Sequence, residues 1–193
     1  LDRSDVYFGW FDNSDYVVLG LIIERVSGES YEAFLQKRIF EPLGMKRSGY
    51  GPTSEGLAIG YDASGKAAIV DMTGYADRGL YSTVEDLYLW DQALYTDKLI
   101  PKELLNRMFT PHKDMHWSDW ASGYGWFLSK SLGIFHPGWS EGSSSYITRF
   151  PDRKVTVIVL SNRGGLGVLS IDITASTAAT LGIRLTTIAV GAK

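Results

Sequence analysis

The sequence predicts an α+β fold in which a helical first part is followed by an antiparallel sheet with a covering C-terminal helix. Segments up to about residue 120 carry helical periodicity, whereas the later segments read as strands. Short turns separate those strands, which favours antiparallel neighbours. At 193 residues the chain is long enough for one domain with a core, with 1–120 mainly helices and loops and 121–193 strands plus the last helix.

Two helices are predicted to open the chain. The segment 16–26, YVVLGLIIERV, is apolar almost all round, and its length, with Asn13 and Ser14 as possible caps, favours a buried helix over a strand. Ser30 is expected to cap the second helix, YEAFLQKRIF, whose apolar positions share one face. The stretch 42–45, PLGM, is expected to end it.

Residues 46–80 are rich in glycine and turn residues, and predict a long, partly irregular excursion that either has a functional reason or carries short elements of its own. Ser82 and Glu85 then spell a capping box before the helix VEDLYLWDQALY. Pro101 suits the first turn of the next helix, KELLNRMF.

Four strands are expected in the last third of the chain, at 123–130, 132–138, 144–150 and 154–161. Pro151-Asp-Arg153 reads as the hairpin-type turn between the last two. Residues 166–182 are rich in small side chains and predict the final helix.

Composition excludes several classes of function. Apolar residues make up 45% and charged residues 21%, which is ordinary for a globular protein, and the net charge of −3 gives no surface for nucleic acid. The absence of cysteine excludes disulfides, thiol catalysis and zinc-thiolate sites. The apolar stretch 171–190 contains Asp172 and Arg184, so no membrane span is predicted.

The stretch 136–142, HPGWSEG, holds two catalytic patterns. Its last five residues fit G-x-S-x-G, but a serine elbow needs a helix after the serine and a histidine later in the chain. A predicted strand follows Gly142, and His136 is the last histidine. The remaining interpretations are a turn between strands, or a polar-x-Gly motif formed by His136 and Gly138.

Four stretches are informative when taken together: FDNSDYVVLGLIIERVSGESYEAFLQKRIFEPLGM, GLYSTVEDLYLWDQALY, YGWFL and HPGWSEGSSSYITRFPDRKVTVIVLSNR. In this order they resemble the serine β-lactamase-related hydrolases, namely class C β-lactamases, D-Ala-D-Ala carboxypeptidases and penicillin-binding-protein-like esterases. The resemblance implies the second portion of a β-lactamase/transpeptidase-like fold, hence a partial domain. It also implies three motifs: a nucleophilic Ser-x-x-Lys, a Tyr-x-Asn, and a Lys/His-x-Gly on a strand of the cleft.

The resemblance assigns His136 and Gly138 to the third motif. It implies that His136 orients the proton relay or a substrate carboxyl group, that Gly138 lets the substrate backbone approach, and that the Trp139 backbone N–H is an oxyanion donor. The alternative for His136 is a polar strand residue without a catalytic part.

The second motif is altered, because Phe11 stands where the family has tyrosine and has no hydroxyl to relay a proton. Asn13 fits the substrate-amide position, or is only a helix cap. No serine in the chain is followed three residues later by lysine. We therefore expect an N-terminal region with Ser-x-x-Lys upstream of Leu1, and an inactive chain in its absence.

The sequence contains a histidine pair and a tryptophan group that could also form sites. His112 and His116 have i, i+4 spacing, but no HExxH pattern or third ligand accompanies them, so no metal site is expected. Trp117, Trp120, Trp126 and Trp139 are close in sequence and predict either core packing or a cleft wall near His136.

The expected function is therefore hydrolysis of an amide or ester (a β-lactam, a D-amino-acid peptide or an ester) through an acyl-enzyme, without a cofactor. The alternatives are a degenerate relative that binds a peptidoglycan-like peptide or β-lactam without turnover, and a purely structural fragment. The expected partners are a small-molecule or peptide substrate and either the missing N-terminal lobe or a second copy. The expected location is extracytoplasmic.

Overall fold

The computed structural model describes residues 13–52, 56–114, 119–164 and 177–190. The helices are α1 (Asn13–Ser27), α2 (Tyr31–Leu35), which continues through a π-helical turn (Gln36–Phe40) into α3 (Glu41–Leu43), then α4 (Val84–Ala93), α5 (Lys102–Met108) and α6 (Thr177–Val190). The strands are β1 (Gly49–Tyr50), β2 (Gly60–Tyr61), β3 (Ala67–Ala68), β4 (Leu80–Tyr81), β5 (Lys113–Asp114), β6 (Trp120–Ser122), β7 (Phe127–Ser129), β8 (Gly133–Ser140), β9 (Ser143–Phe150) and β10 (Val155–Ser161).

A six-stranded sheet is the framework of the fold. Its strands follow the order β10-β9-β8-β7-β6-β5, and all five pairings are antiparallel. The predicted antiparallel arrangement is therefore confirmed. The predicted strand 123–130 is wrong in its range, because residues 123–126 form the turn between β6 and β7 and only Phe127–Ser129 are strand. A 3₁₀ turn at Pro151–Arg153 joins β9 to β10, with Lys154 in the left-handed region at φ 53°, as the predicted hairpin-type turn requires.

The predicted cap of one helix is confirmed, and the cap of another lies one residue later than predicted. The Ser30 hydroxyl accepts a hydrogen bond from the Ala33 N–H, which confirms the cap of the second helix. At α4 the cap is Thr83, whose hydroxyl accepts from the Asp86 N–H. Ser82 instead lies 2.7 Å from the Ser48 hydroxyl. The predicted capping box was wrong because this tertiary contact recruits Ser82 away from the helix end.

Helix α1 has the predicted secondary structure but not the predicted burial. Gly20 is its only buried residue, and Val18, Leu19, Leu21 and Ile22 are each at least 50% exposed. A β-carbon at Gly20 would lie 2.5 Å from the Ala76 Cβ, so the segment carrying Ala76 crosses the helix there at close range. When a helix is apolar on all sides, its sequence does not indicate which of its faces are packed against other segments. The described residues pack against only part of the surface of α1.

The sheet lies between two layers of apolar side chains. On one face, Ala178 and Ala179 of α6 form a cluster with the strand residues Phe127, Phe135, Tyr146 and Val159. On the other face Leu94, Leu105 and Trp126 form a cluster with Ile134 and Ile147. This second cluster joins α4 and α5 to the strands, and it lies beside the first half of β8.

Helix α6 differs from the prediction in its range. It runs to Val190, eight residues beyond the predicted end, and residues 166–176 of the predicted helix lie outside the described part. The small residues are explained by packing, because Ala178 and Ala179 are fully buried and Gly182 faces Tyr146. A β-carbon at Gly182 would lie 2.2 Å from the Cδ1 of Tyr146. Helix α6 can approach the sheet this closely only because Ala178, Ala179 and Gly182, which face the sheet, are small.

Substituting Gly182 with alanine tests this contact. Alanine favours a helix over glycine by about 1 kcal/mol. We nevertheless expect Gly182→Ala to lower the free energy of unfolding by about 1–3 kcal/mol, the usual cost of overpacking, because the Tyr146 ring is 1% exposed and has no room to move. Denaturant unfolding measures the change. Thr187→Ala, on the exposed side of α6, is the matched control, and equal stability of the two variants would contradict the prediction.

Candidate active site

A cleft of about 450 Å³ opens between α1, the β6–β7 turn and β8. Its walls are Asp15, Tyr16 and Leu19 from α1, Ser122–Phe127 from the turn, and His136 from β8. The end of α5 holds this turn in place, because the Tyr124 N–H donates to the Met108 carbonyl. Gly123 is required at that contact, since a β-carbon there would lie 2.3 Å from the same carbonyl oxygen.

His136 is the titratable group that the sheet brings into this cleft. Its ring stacks on Phe127, with centroids 5.6 Å apart, and meets the Tyr16 ring edge-on at 6.2 Å. Burial lowers the pKa of His136 below its usual 6.5, and a hydrogen bond to the Pro137 backbone opposes the shift. The imidazole is therefore neutral at pH 7 and suited to accept a proton.

Tyr16 is the residue of this site that the sequence interpretation missed. Its hydroxyl lies 3.1 Å from the Nε2 of His136, across 120 residues of sequence. Burial, together with the nearby Asp15 carboxylate, raises the pKa of Tyr16, so the phenol stays protonated. One signal was present in the sequence: Tyr16 lies five residues after Phe11, one helical turn beyond Asn13, in the stretch that carries the second motif.

The hairpin formed by β8 and β9 excludes the serine elbow. Ser140 pairs with Ser143, so only Glu141 and Gly142 separate the two strands and no helix follows the serine. On its other side β8 pairs with β7 at residues 133–135. Within the described part of the chain, β7 provides no partner for the stretch from His136 onward. Gly138 and Trp139 lie on this stretch.

The other predicted site residues are located as follows. Gly138 is opposite Ser145, and a β-carbon at Gly138 would lie 2.3 Å from the Ser145 hydroxyl oxygen. The Trp139 side chain is 47% exposed. Asn13 is the exposed first residue of α1, one turn before Tyr16. Phe11 lies outside the described residues.

The remaining candidates do not join this site. His112 stacks on Tyr124 with centroids 4.1 Å apart, and its Nε2 is 2.8 Å from the Arg107 carbonyl oxygen. His116 and Trp117 lie outside the described residues, and the described ones contain no group of three side chains suited to a metal. The other tryptophans separate: Trp126 is buried and stacks on Trp90, Trp120 packs on Phe135, and Trp139 faces solvent. Of these three, only Trp126 lines the cleft.

A histidine held in a cleft beside a sheet strand occurs in many folds, so comparison with known proteins decides the family. The sequence profile described as Beta-lactamase matches residues 8–180. The chain belongs to the Beta-lactamase family. The resemblance seen in the motifs, and the predicted fold, are thereby confirmed.

The chain is similar in sequence to penicillin-binding proteins and in fold to a D-amino acid amidase. Penicillin-binding protein 4* of Bacillus subtilis is 30% identical over 180 residues, which cover 80% of this chain and 40% of that protein. The octameric penicillin-binding protein homologue of Pyrococcus abyssi superposes with a TM-score of 0.78 at 28% identity, over 94% of this chain and 42% of the other. The D-amino acid amidase of Ochrobactrum anthropi gives a TM-score of 0.71 at 23% identity, over 94% and 58%.

The chain therefore spans between two fifths and three fifths of these relatives. Among the residues that the structure describes, no helix combines the length and apolarity that crossing a bilayer requires.

Proposed function

We propose that this chain is the C-terminal portion of a serine hydrolase that cleaves an amide or ester bond through an acyl-enzyme. The substrate is a β-lactam, a D-amino-acid peptide or an ester. The observation that carries the proposal is the position of His136, neutral, half-buried and on a strand that borders the cleft. A proton acceptor at this place serves acyl transfer, because a hydroxyl nucleophile must lose its proton as it attacks.

The rest of the chemistry is assigned to named positions. The attacking serine belongs to a Ser-x-x-Lys segment upstream of Leu1. The stretch of β8 without a β7 partner offers the Trp139 backbone N–H to the oxyanion, and Gly138 leaves space for the substrate backbone. Asn13 binds the substrate amide from the start of α1. No step needs a metal or an organic cofactor.

A second candidate function is favoured by Phe11, which removes the hydroxyl of the second motif. In that case the protein is a degenerate relative that binds a peptidoglycan-like peptide or a β-lactam without turnover. The cleft itself is the same in both candidates, so only the fate of a bound substrate separates them.

Hydrolysis by two forms of the protein tests the proposal. The 193-residue chain and the protein from its complete reading frame are assayed on an ester, a chromogenic cephalosporin and a D-amino-acid amide. We expect turnover from the complete protein and none from the chain alone. Serine-dependent turnover by the chain alone would contradict the missing nucleophile. Stoichiometric binding without turnover by the complete protein would favour the degenerate relative.

We further propose that the exposed apolar face of α1 is covered by the N-terminal lobe or, failing that, by another copy of the chain. The octameric state belongs to the Pyrococcus abyssi homologue, and self-association here is a proposal. Sedimentation of the chain alone tests it, and a monodisperse monomer would argue against it. The proposed location is extracytoplasmic, by analogy with the penicillin-binding proteins.

A further inference from the structure

The hydroxyl of Tyr16 lies in the cleft, although Tyr16 belongs to none of the three motifs of the family. The Tyr16 oxygen and the His136 Nε2 are at hydrogen-bond distance, 3.1 Å. The two side chains come from α1 and from β8, the third strand from the β10 edge of the sheet, and both line the cleft. Phe11, by contrast, has no oxygen to offer at the position where the family has tyrosine.

The direction of this hydrogen bond depends on the tautomer of the imidazole. The relay uses the neutral tautomer that carries its hydrogen on Nδ1. In that tautomer the Nε2 is an acceptor, and the Tyr16 hydroxyl donates to it.

We propose that Tyr16 replaces the tyrosine lost at Phe11, and that Tyr16 and His136 together form the proton relay of this hydrolase. In the acylation step the nucleophilic serine gives its proton to the Tyr16 oxygen while it attacks the substrate carbonyl. The Tyr16 oxygen passes its own proton to the His136 Nε2. One serine O–H bond and one tyrosine O–H bond break, one tyrosine O–H and one N–H bond form, and the imidazole carries the positive charge.

The return transfer completes acylation, because the imidazolium gives its proton back to Tyr16 as Tyr16 protonates the leaving amine or alcohol. Deacylation repeats both transfers with a water molecule in place of the serine, and the proton returns to the departing serine oxygen. The phenol is neutral before and after each transfer, in keeping with its half-buried position. The ring of Phe127 against His136 and the hydrogen bond to Pro137 hold the imidazole in place throughout. The relay rests on the proposed function, because it needs the serine that the upstream segment supplies.

Tyr16→Phe in the protein from its complete reading frame tests the relay. We expect kcat/KM to fall by about 10²–10⁴-fold, the usual contribution of a positioned acid–base group. We also expect the pKa of His136, followed by NMR against a His136→Gln reference, to rise, because loss of the donated hydrogen bond removes a contact that favours the neutral ring. Tyr16→Met, which also lacks the hydroxyl, is expected to give the same result.

Two controls make the outcome specific. Tyr88→Phe removes a hydroxyl from an exposed tyrosine of α4 outside the cleft and should leave both readouts unchanged. Phe11→Tyr in the Tyr16→Phe background should restore part of the rate. Hydrolysis that survives Tyr16→Phe would overturn the relay alone. A rate loss with an unchanged His136 titration would make Tyr16 structural and also overturn it. No hydrolysis by the unsubstituted protein would overturn the proposed function itself.

Discussion

Replacing Asp91 with alanine is expected to lower the free energy of unfolding by about 3–5 kcal/mol, the cost of breaking a buried ion pair by removing one partner. Asp91 and Arg149 are 0% and 1% exposed, and the Asp91 Oδ1 lies 2.9 Å from the Arg149 Nε. The second carboxylate oxygen accepts from Thr156 and Gln92, each at 3.0 Å. Alanine would leave the Arg149 guanidinium buried without its counter-charge.

The guanidinium has other neighbours, but none that replaces a carboxylate. It lies over the rings of Tyr95 and Phe109, at 4.6 and 5.2 Å from their centroids, and donates to the Asp91 carbonyl oxygen at 3.4 Å. These contacts explain how β9 binds the end of α4. They are weaker than the lost pair, so they offset only part of its cost.

The measurement is denaturant unfolding of Asp91→Ala and of two comparison variants. Lys37→Ala breaks an exposed pair with Glu29 and is expected to cost less than about 1 kcal/mol. The double substitution of Asp91→Leu with Arg149→Met removes both charges and should recover most of the loss. A change for Asp91→Ala no larger than that for Lys37→Ala would show that the buried pair is not what joins helix to sheet.

Replacing His136 with glutamine is expected to lower kcat/KM by about 10²–10⁴-fold in the protein from its complete reading frame. Glutamine keeps a polar side chain of similar reach but does not accept a proton near neutral pH. His112→Gln, which changes a histidine outside the cleft, is the matched control. Equal rates for the two variants would remove His136 from the mechanism.

The lowered pKa of His136 also predicts the direction in which kcat/KM changes with pH. Because the pKa of His136 is lowered, the ring remains neutral at pH values somewhat below 6.5. The value of kcat/KM should therefore fall only as the pH drops through that lowered pKa. Stability is linked in the same direction. The unfolded chain binds the proton at about 6.5 and the folded one at a lower pH, so the contribution of the neutral ring is present above 6.5 and is lost as pH falls through the folded pKa. His136→Gln should lose this acid sensitivity, and an unchanged slope would contradict the assignment.

Much of the local structure was predictable because it depends on neighbours in sequence. The strands around the turn at Pro151–Arg153 follow from alternating side chains and a short connection. The Ser30 cap follows from a hydroxyl three residues before a free N–H. The family follows from the order of short motifs, of which His136-Pro-Gly138 is one. Each of these signals is contained within a few residues.

The wrong predictions share one cause. Each depends on contacts with residues that are distant in sequence, and a short stretch does not specify such contacts. Ser82 spells a cap but bonds Ser48 instead, 34 residues away. The apolar faces of α1 predict burial, but the pattern does not say whether another segment covers them. The tryptophans are neighbours in sequence, yet Trp126 enters the α4–α5 cluster and Trp139 faces solvent, because the strands and turns that carry them diverge.

The α+β class, the antiparallel strands and the family could be predicted from the sequence, because periodicity, turn chemistry and short motifs are local properties of the chain. The contacts of Tyr16 with His136 and of Asp91 with Arg149 could not. Those pairs are 120 and 58 residues apart. Their contacts arise from the packing of helices against the sheet, which no short stretch of sequence specifies.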